Sequence, residues 1–277
     1  MHNKHVNVSK VVQYILLVLM FIILIGPMIW QLMLAVKGPG DNIYSVPPYF
    51  FPKDFTLDNF IEALNAIPIM TYVRNSAIVA IISVCGNVIG ATLAGYALAR
   101  LNFKGKGVVM AVVFACMMIP VETVIVSQFL IIRGMHLQNT LLSAALPGLI
   151  QPINIMLMTN AFRGVPYELE EAAKVDGANV WQRFMQICVP QVIGTATVVA
   201  IFSFVGAWND FLWPLIVLAD DSTYTLTVGL NRLRGTFFSD PRLIAAGTIL
   251  ALIPIIIFFL IIQRYFFRGV EQGGVKG

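Results

Sequence analysis

The chain has 277 residues, of which 58% are hydrophobic and 12% charged, with a net charge of +4. Soluble domains carry about 25% charged residues, and half that supply cannot cover a globule of this size with a solvated surface. This argues against a water-soluble enzyme, a disordered chain and a nucleic-acid binder, and predicts an all-α membrane protein.

A span needs about 20 mostly apolar residues to cross about 30 Å of hydrocarbon, and six runs qualify when they are marked by the charged residues that bound them. The first, Val11 to Val36, is longer than the apolar core of a secretory signal and is followed by no small-residue cleavage site, so it is read as a retained helix. A long loop from Lys37 to Tyr72 follows, with Pro47, Pro48, Pro52 and Pro68 as helix breakers. The second run, Asn75 to Ala99, is closed by Arg74 and Arg100; its Gly86, Gly90 and Ala94 repeat at four-residue spacing, which lets another helix backbone approach closely. The third is Val108 to Ile132, interrupted by Glu122, and the fourth is Thr140 to Phe162. The fifth extends from Pro190 to Leu218 and contains Asp210, and the sixth from Leu243 to Ile262. Pro120, Pro147, Pro152, Pro214 and Pro254 fall inside spans, where they either break helices or are accommodated by neighbouring helices. Cys85, Cys116 and Cys188 stand far apart in apolar runs as small core residues, without the spacing of a disulfide framework or a zinc site.

Alternate loops hold eleven and seven of the 18 Lys and Arg residues, and the richer set includes both termini, which places them in the cytoplasm. The chain is thus expected to comprise a cytoplasmic segment 1–10, a six-helix transmembrane domain 11–268 and a cytoplasmic tail 269–277. The last loop on the opposite side, Ala219 to Arg242, is rich in turn residues and is either a contact for an external partner or a plain connector.

Between spans four and five, about 163–189, the cytoplasmic loop is dense with charge. Pro166 suits a helix start, and Glu168, Glu170 and Glu171 then lie where the helix N-terminus favours carboxylates. Gly177 can end that helix in the left-handed conformation. Val180 to Ile187 then supply a second short amphipathic piece, with Phe184 and Ile187 expected on one face. The product is a helix, turn, helix knob projecting from the bilayer; the bland alternative is a solvated acidic loop.

Glu171, Ala172 and Ala173, followed at fixed spacing by Gly177, Ile187, Val189 and Pro190, resemble the EAA signature of ATP-binding-cassette importer permeases, with Val189 where Leu is usual. Ala207 to Pro214, Tyr224 to Leu230 and the tail Gly273, Gly274, Val275, Lys276, Gly277 are similar to the carbohydrate-importer branch, and within it to the smaller membrane subunit of the maltose type. The resemblance implies a type I importer fold: six transmembrane helices, with the EAA loop between helices 4 and 5 as a coupling helix. Its docking residues would be Glu171, Ala172, Ala173, Asp176, Gly177, Ala178 and Phe184, and the glycine-rich tail would reach between the ATPase subunits. It also implies four partners in the bilayer and beside it: a homologous second permease, a dimer of ATP-binding-cassette subunits, an extracytoplasmic sugar-binding protein and a carbohydrate substrate. ATP and Mg would be held by the partner ATPase and no cofactor or metal by this chain, which has no G-x-x-x-x-G-K-[ST] phosphate loop, no H-E-x-x-H and no nucleophile elbow.

Charged groups inside spans are costly and mark pathways or paired contacts. Glu122 and Asp210, with Asn154, Trp208, Asn209 and Trp213, offer the carboxylates, amides and aromatic rings that suit sugar hydroxyls. The same groups equally suit helix packing or a heterodimer interface. A permease for another solute, such as glycerol phosphate, and a self-contained secondary transporter are the competing functions; the second lacks the repeated six-helix half that such folds use.

Overall fold

The structure, a computed structural model, describes residues 8–234 and 240–274. It divides into two compact units, one built from the chain up to Pro68 together with Leu230–Ile253, the other from Ile69–Gly229 together with the chain from Pro254.

The first unit opens with α1 (Val8–Ala35). The most apolar stretch of this helix has no buried residue, as suits a helix solvated by lipid. Its carboxyl end is capped by the Asn59 side chain, whose Nδ2 donates to the carbonyls of Ala35 at 2.8 Å and Lys37 at 2.9 Å. The following loop is closed by backbone bonds from Gly38 N to Asp54 O (2.7 Å) and from Thr56 N to Val36 O (3.0 Å). Buried Asp41 accepts from the amides of Lys53 and Asp54 and so fixes the loop's far side. A short helix, α2 (Asp58–Ala66), completes the turn, and Ala35, Ala63, Ala245 and Ala246 form a small, tightly approached core.

The second unit is organised on α3 (Ile69–Arg100). It is followed by α4 (Lys106–Met118), α5 (Val121–Gly134), α6 (Leu141–Ala145) with a single 3₁₀ turn at Leu146–Gly148, and α7 (Pro152–Gly164). Next come α8 (Tyr167–Val175), α9 (Val180–Gln182), a π-helical turn at Arg183–Cys188, α10 (Val189–Gln191), α11 (Ile193–Asn209) and α12 (Leu212–Val217). The short α13 (Leu226–Asn231) precedes the last helix, α14 (Pro241–Gly274).

Three helices are long and apolar enough to cross a membrane alone: Val12–Ala35, Ile69–Arg100 and Pro241–Ile261. The other three expected spans are bent, by 105° between α4 and α5, 50° between α6 and α7, and 76° before α11. The six-span reading therefore holds with spans three to five each broken. The first two breaks have a local cause. A proline disfavours helical geometry in the preceding residue; Ile119 before Pro120 and Gln151 before Pro152 are both extended, with ψ 118 and 135. The third falls at Val192 (φ −109, ψ 11), two residues after Pro190. Pro27 and Pro254 sit inside continuous helices.

Two expected boundaries move. The second span begins at Ile69, so Arg74 lies inside the helix: a charge marks where hydrocarbon ends, not where backbone hydrogen bonding ends. The fifth run is not continuous to Leu218, because the helix stops at Asn209 and restarts at Leu212 around an extended Asp210 (ψ 129). The small-residue stripe is also displaced. Val79, Ser83, Asn87, Ala91 and Gly95 form the buried line of α3, and Ala94 is only half-buried. Gly86 and Gly90 do admit a neighbour closely, since a Cβ there would meet Leu149 at 2.4 Å and Ile150 at 2.6 Å. At Gly95 a Cβ would come within 2.6 Å of the Met158 Cβ and 2.9 Å of the 158–159 backbone, which a shift of side chain alone cannot relieve. Gly95→Ala should therefore force α3 and α7 apart and destabilise the purified protein by about 1–3 kcal/mol. Gly107→Ala, where nothing lies within 4 Å of an added Cβ, should not; thermal unfolding in detergent compares the two.

Candidate functional site

The knob between α7 and α11 is built by local rules. Pro166 is extended (ψ 131) and starts α8, whose first turn carries Glu168 and Glu170 at the positive end of the helix dipole. The helix closes in a Schellman motif: Ala178 N donates to Ala173 O at 2.9 Å and Gly177 N to Lys174 O at 3.1 Å, with Gly177 at φ 87. Two residues on, Asn179 and Gln182 form a reciprocal capping box, each side chain accepting from the other's backbone amide at 2.9 Å. The sequence reading missed this box, although the Asn-x-x-Gln spacing was there to be found.

The second half of the knob departs from expectation. Residues 183–188 form a π turn, so Phe184 and Ile187 do not share a face; Phe184 pairs with Cys188 as the buried side. An α-helical period of three no longer applies where bonding runs i to i+5. Phe184 packs its ring against Tyr96 (4.9 Å between centroids), Phe162 (6.2 Å) and Trp181 (5.3 Å). It anchors the knob to the ends of α3 and α7 and is not available as a docking side chain.

Of the other expected docking residues, Glu171, Ala172, Asp176 and Gly177 are exposed and Ala173 and Ala178 half-buried. Beside them stand exposed Val175 (88%) and Trp181 (60%), which the sequence reading did not single out. The free face of the knob thus mixes carboxylates with bare apolar groups.

Beneath that face lies a buried charge cluster that went unforeseen. Glu170, one residue before the signature, is 5% exposed. Its Oε1 accepts from the Tyr96 hydroxyl at 2.8 Å and faces Arg183 Nη1 at 3.6 Å. Its Oε2 lies 3.9 Å from Arg100 Nε and 3.7 Å from the Cys188 thiol. Arg100 also donates to the carbonyls of Phe162, at 3.0 Å from Nε, and Val165, at the negative end of α7. Two guanidiniums thus surround one carboxylate, and Glu170 and Arg100 each sit on a favourable helix pole.

The polar groups within the spans each have their own partners or exposure. Asn154 is fully buried and donates to Asn87 Oδ1 (2.8 Å) and Ser203 Oγ (3.3 Å). Trp208 is buried and stacked on Phe204 at 5.4 Å, and Trp213 donates from Nε1 to Ser143 O at 2.9 Å. Glu122 is exposed in the first turn of α5, just past the Pro120 break, and Asn209 is exposed with Nδ2 bonded to Val205 O. Asp210 is half-buried at its own break, its carbonyl accepting from Thr227 Oγ1 at 2.6 Å. Gly273 and Gly274 end α14, while Val275, Lys276 and Gly277 lie outside the described residues.

The loop after α12 is pinned to α3. Asn75 Nδ2 donates to the carbonyls of Ser222 and Tyr224, both at 2.9 Å, and Ser76 Oγ accepts from Leu226 N at 2.8 Å. Asn139, in the left-handed region at φ 58, receives Ala219 N (2.9 Å) and Thr223 Oγ1 (2.6 Å) on its side-chain oxygen. In the first unit, burial raises the Asp240 carboxyl, but hydrogen bonds and charge from Arg242 outweigh this and hold it below the usual carboxylate range. That pair therefore stabilises the fold above the free carboxylate range and is lost as pH falls through the lowered value.

Residues 86–272 match the family described as binding-protein-dependent transport system inner membrane component. The chain belongs to that family. Relatives with assigned names include the arabinooligosaccharides transport system permease protein AraQ of Halalkalibacterium halodurans, 32% identical over 89% of this chain and 90% of the relative. The diacetylchitobiose uptake system permease protein DasC of Streptomyces coelicolor is 32% identical over 94% of this chain and 95% of its own. The fold is that of a solved bacterial ABC transporter involved in import of the acidic polysaccharide alginate, with TM-score 0.80 and 20% identity over 96% of this chain and 99% of that one. The chain is thus a multi-pass membrane permease, and its fold is that of the importer class its signature suggested.

Asn87 is the side chain on which the break between α6 and α7 rests. It donates to Ser83 O (2.9 Å) and Gly148 O (2.7 Å) and accepts from Gln151 N and Asn154 Nδ2, both at 2.8 Å. Asn87→Leu should strand the Gln151 amide and Gly148 carbonyl, at about 1–3 kcal/mol for each buried unsatisfied group. A thermal unfolding series should show this as a loss larger than that for Asn209→Leu, whose amide bonds only its own helix.

Proposed function

We propose that this chain is one of two homologous membrane subunits of an ATP-driven oligosaccharide importer that works by alternating access. The observation that carries this reading is the knob, a capped helix-turn-helix with a free acidic and apolar face, in a chain of the permease family. Substrate class is supported by the relatives, named for arabinooligosaccharides and diacetylchitobiose, and by the neighbour that imports alginate. The family description adds a binding protein as the delivering partner.

In this reading residues 1–10 and 269–277 face the cytoplasm, and 11–268 form the transmembrane domain. Glu171, Ala172, Ala173, Asp176, Gly177 and Ala178 seat against an ATPase dimer that holds ATP and Mg. Small residues let the helix sit deep, and carboxylates set register by pairing with basic groups there. Gly273 to Gly277 reach toward the same partner. Phe184 acts from beneath, holding the docked helix to the spans. Within the membrane, Glu122, Asn209 and Asp210 retain polar groups at or near free surface and serve the sugar path, while Asn154, Trp208 and Trp213 hold the helices that line it.

Gly177→Pro or Ala173→Trp should reduce ATP-driven uptake of labelled oligosaccharide by at least about tenfold, within the usual range of coupling between sites, while membrane insertion stays normal. Normal uptake by both variants, with the ATPase attached, would remove the docking assignment. Glu122→Gln and Asp210→Asn should lower uptake without loss of the assembled complex; loss of the complex instead would make them interface residues. Full-rate movement of solute down its gradient by the purified chain alone would refute the ATP-driven reading altogether.

A further inference from the structure

We propose that Glu170 is the latch through which the knob moves the membrane helices, a positioning residue distinct from the exposed groups that dock. This rests on the docking reading above and deepens it. A knob that only touched the spans through the Tyr96, Phe162 and Phe184 rings would be held by contacts that resist separation but permit sliding and rotation. The Glu170 cluster supplies direction. Its carboxylate joins four segments at once: α8 through its own backbone, α3 through Tyr96 and Arg100, the π turn through Arg183 and Cys188, and α7 through the carbonyls that Arg100 also holds. Among the described residues, no other ion pair ties the knob to a span.

The π turn is the local device that makes this possible. In an α-helix, residues five apart point to different sides; the wider π turn brings the directions of Arg183 and Cys188 closer, and both reach Glu170, at 3.6 Å and 3.7 Å. The side chains of Arg100 and Glu170 are each 6% exposed and that of Arg183 16%, so water does not screen the cluster. A displacement imposed on the docked face of α8 therefore reaches α3 through the 2.8 Å Tyr96 hydrogen bond and the Arg100 ion pair, and the knob with the inner ends of α3 and α7 moves as one body.

The test uses the full importer, with its ATPase, second permease and binding protein, in proteoliposomes. The readout is ATP hydrolysed per sugar imported. Glu170→Ala should raise this ratio by about tenfold, a loss in the range typical of coupling between sites. Glu170→Gln keeps the volume and the acceptor for Tyr96 but not the charge, and should give an intermediate ratio; it decides the matter if the alanine variant fails to assemble. A purely structural role predicts less assembled importer with an unchanged ratio in what assembles, and that result overturns the latch. A photoreactive benzophenone amino acid at exposed Val175 reports docking separately. Cross-linking to the ATPase in the parent and in both variants, with unchanged ratios, sinks the latch alone; no cross-link in the parent sinks the docking reading and the latch with it.

Discussion

Hydrocarbon offers no hydrogen bonds, so a chain that bends inside a membrane must meet its own freed amides and carbonyls. Three of the six spans here bend by 50° or more, and much of what is distinctive in the structure follows from that requirement. At the break before α7 the answer is a single amide. Asn87 has two donors and two acceptor positions, and all four are used: two within the local backbone of α3 and the 3₁₀ turn, two on the restarting α7. The side chain works because Gly86 and Gly90 flank it and let Leu149 and Ile150 come close. A polar residue between two glycines is thus one construction, close approach and satisfaction together.

The same economy explains the charges at the other end of α3. A buried ion is costly unless paired and hydrogen-bonded; Glu170 and Arg100 meet both conditions and also exploit helix ends, whereas Arg183 is paired with Glu170 but leaves its buried Nε without a hydrogen bond. Arg100 lies on the carboxyl pole of α7 and Glu170 on the amino pole of α8, so the chain reversal at Val165 and Pro166 brings opposite poles and opposite charges to one point. The excess positive charge of two guanidiniums over one carboxylate is offset by those carbonyls. Nothing in the surface pattern of the loop announces this, because Glu170 is one of three acidic residues in four positions and its neighbours Glu168 and Glu171 are solvated.

What was legible in the sequence divides along the same line. The number of spans followed from apolar run length, though not their breaks, and the Gly177 terminus from the conformational freedom of glycine, both local properties. The EAA spacing led to the family because several fixed positions agree at once. What stayed hidden depended on tertiary partners. Asn154 was read beside Glu122 and Asp210 as one polar group among several in the spans, yet its partners, Asn87 and Ser203, lie in other helices. Phe184 and Ile187 were paired by a helical period that a π turn cancels, and no residue between 183 and 188 signals that turn by itself. Arg74 misled as a boundary because side-chain charge reports depth in the membrane, whereas the helix ends only where its hydrogen bonds do.

These two polar constructions stand on one helix. From Arg100 back to Asn87 is thirteen residues of unbroken α3, about 20 Å at 1.5 Å per residue. An intact helix transmits axial and rotational displacement over that distance with little loss, whereas the neighbouring spans are interrupted at Pro120, Pro152 and Val192. Movement entering at the Glu170 end would therefore arrive at Asn87 with little loss, and there it meets the break between α6 and α7, whose Gln151 amide and Gly148 carbonyl are held by that very side chain. The arrangement pairs a stiff rod with a jointed neighbour and locks them together by hydrogen bonds at the joint. A permease that must present its pathway alternately to two sides needs both parts, and the sequence places the stiff one where proline is absent and the jointed ones where it recurs.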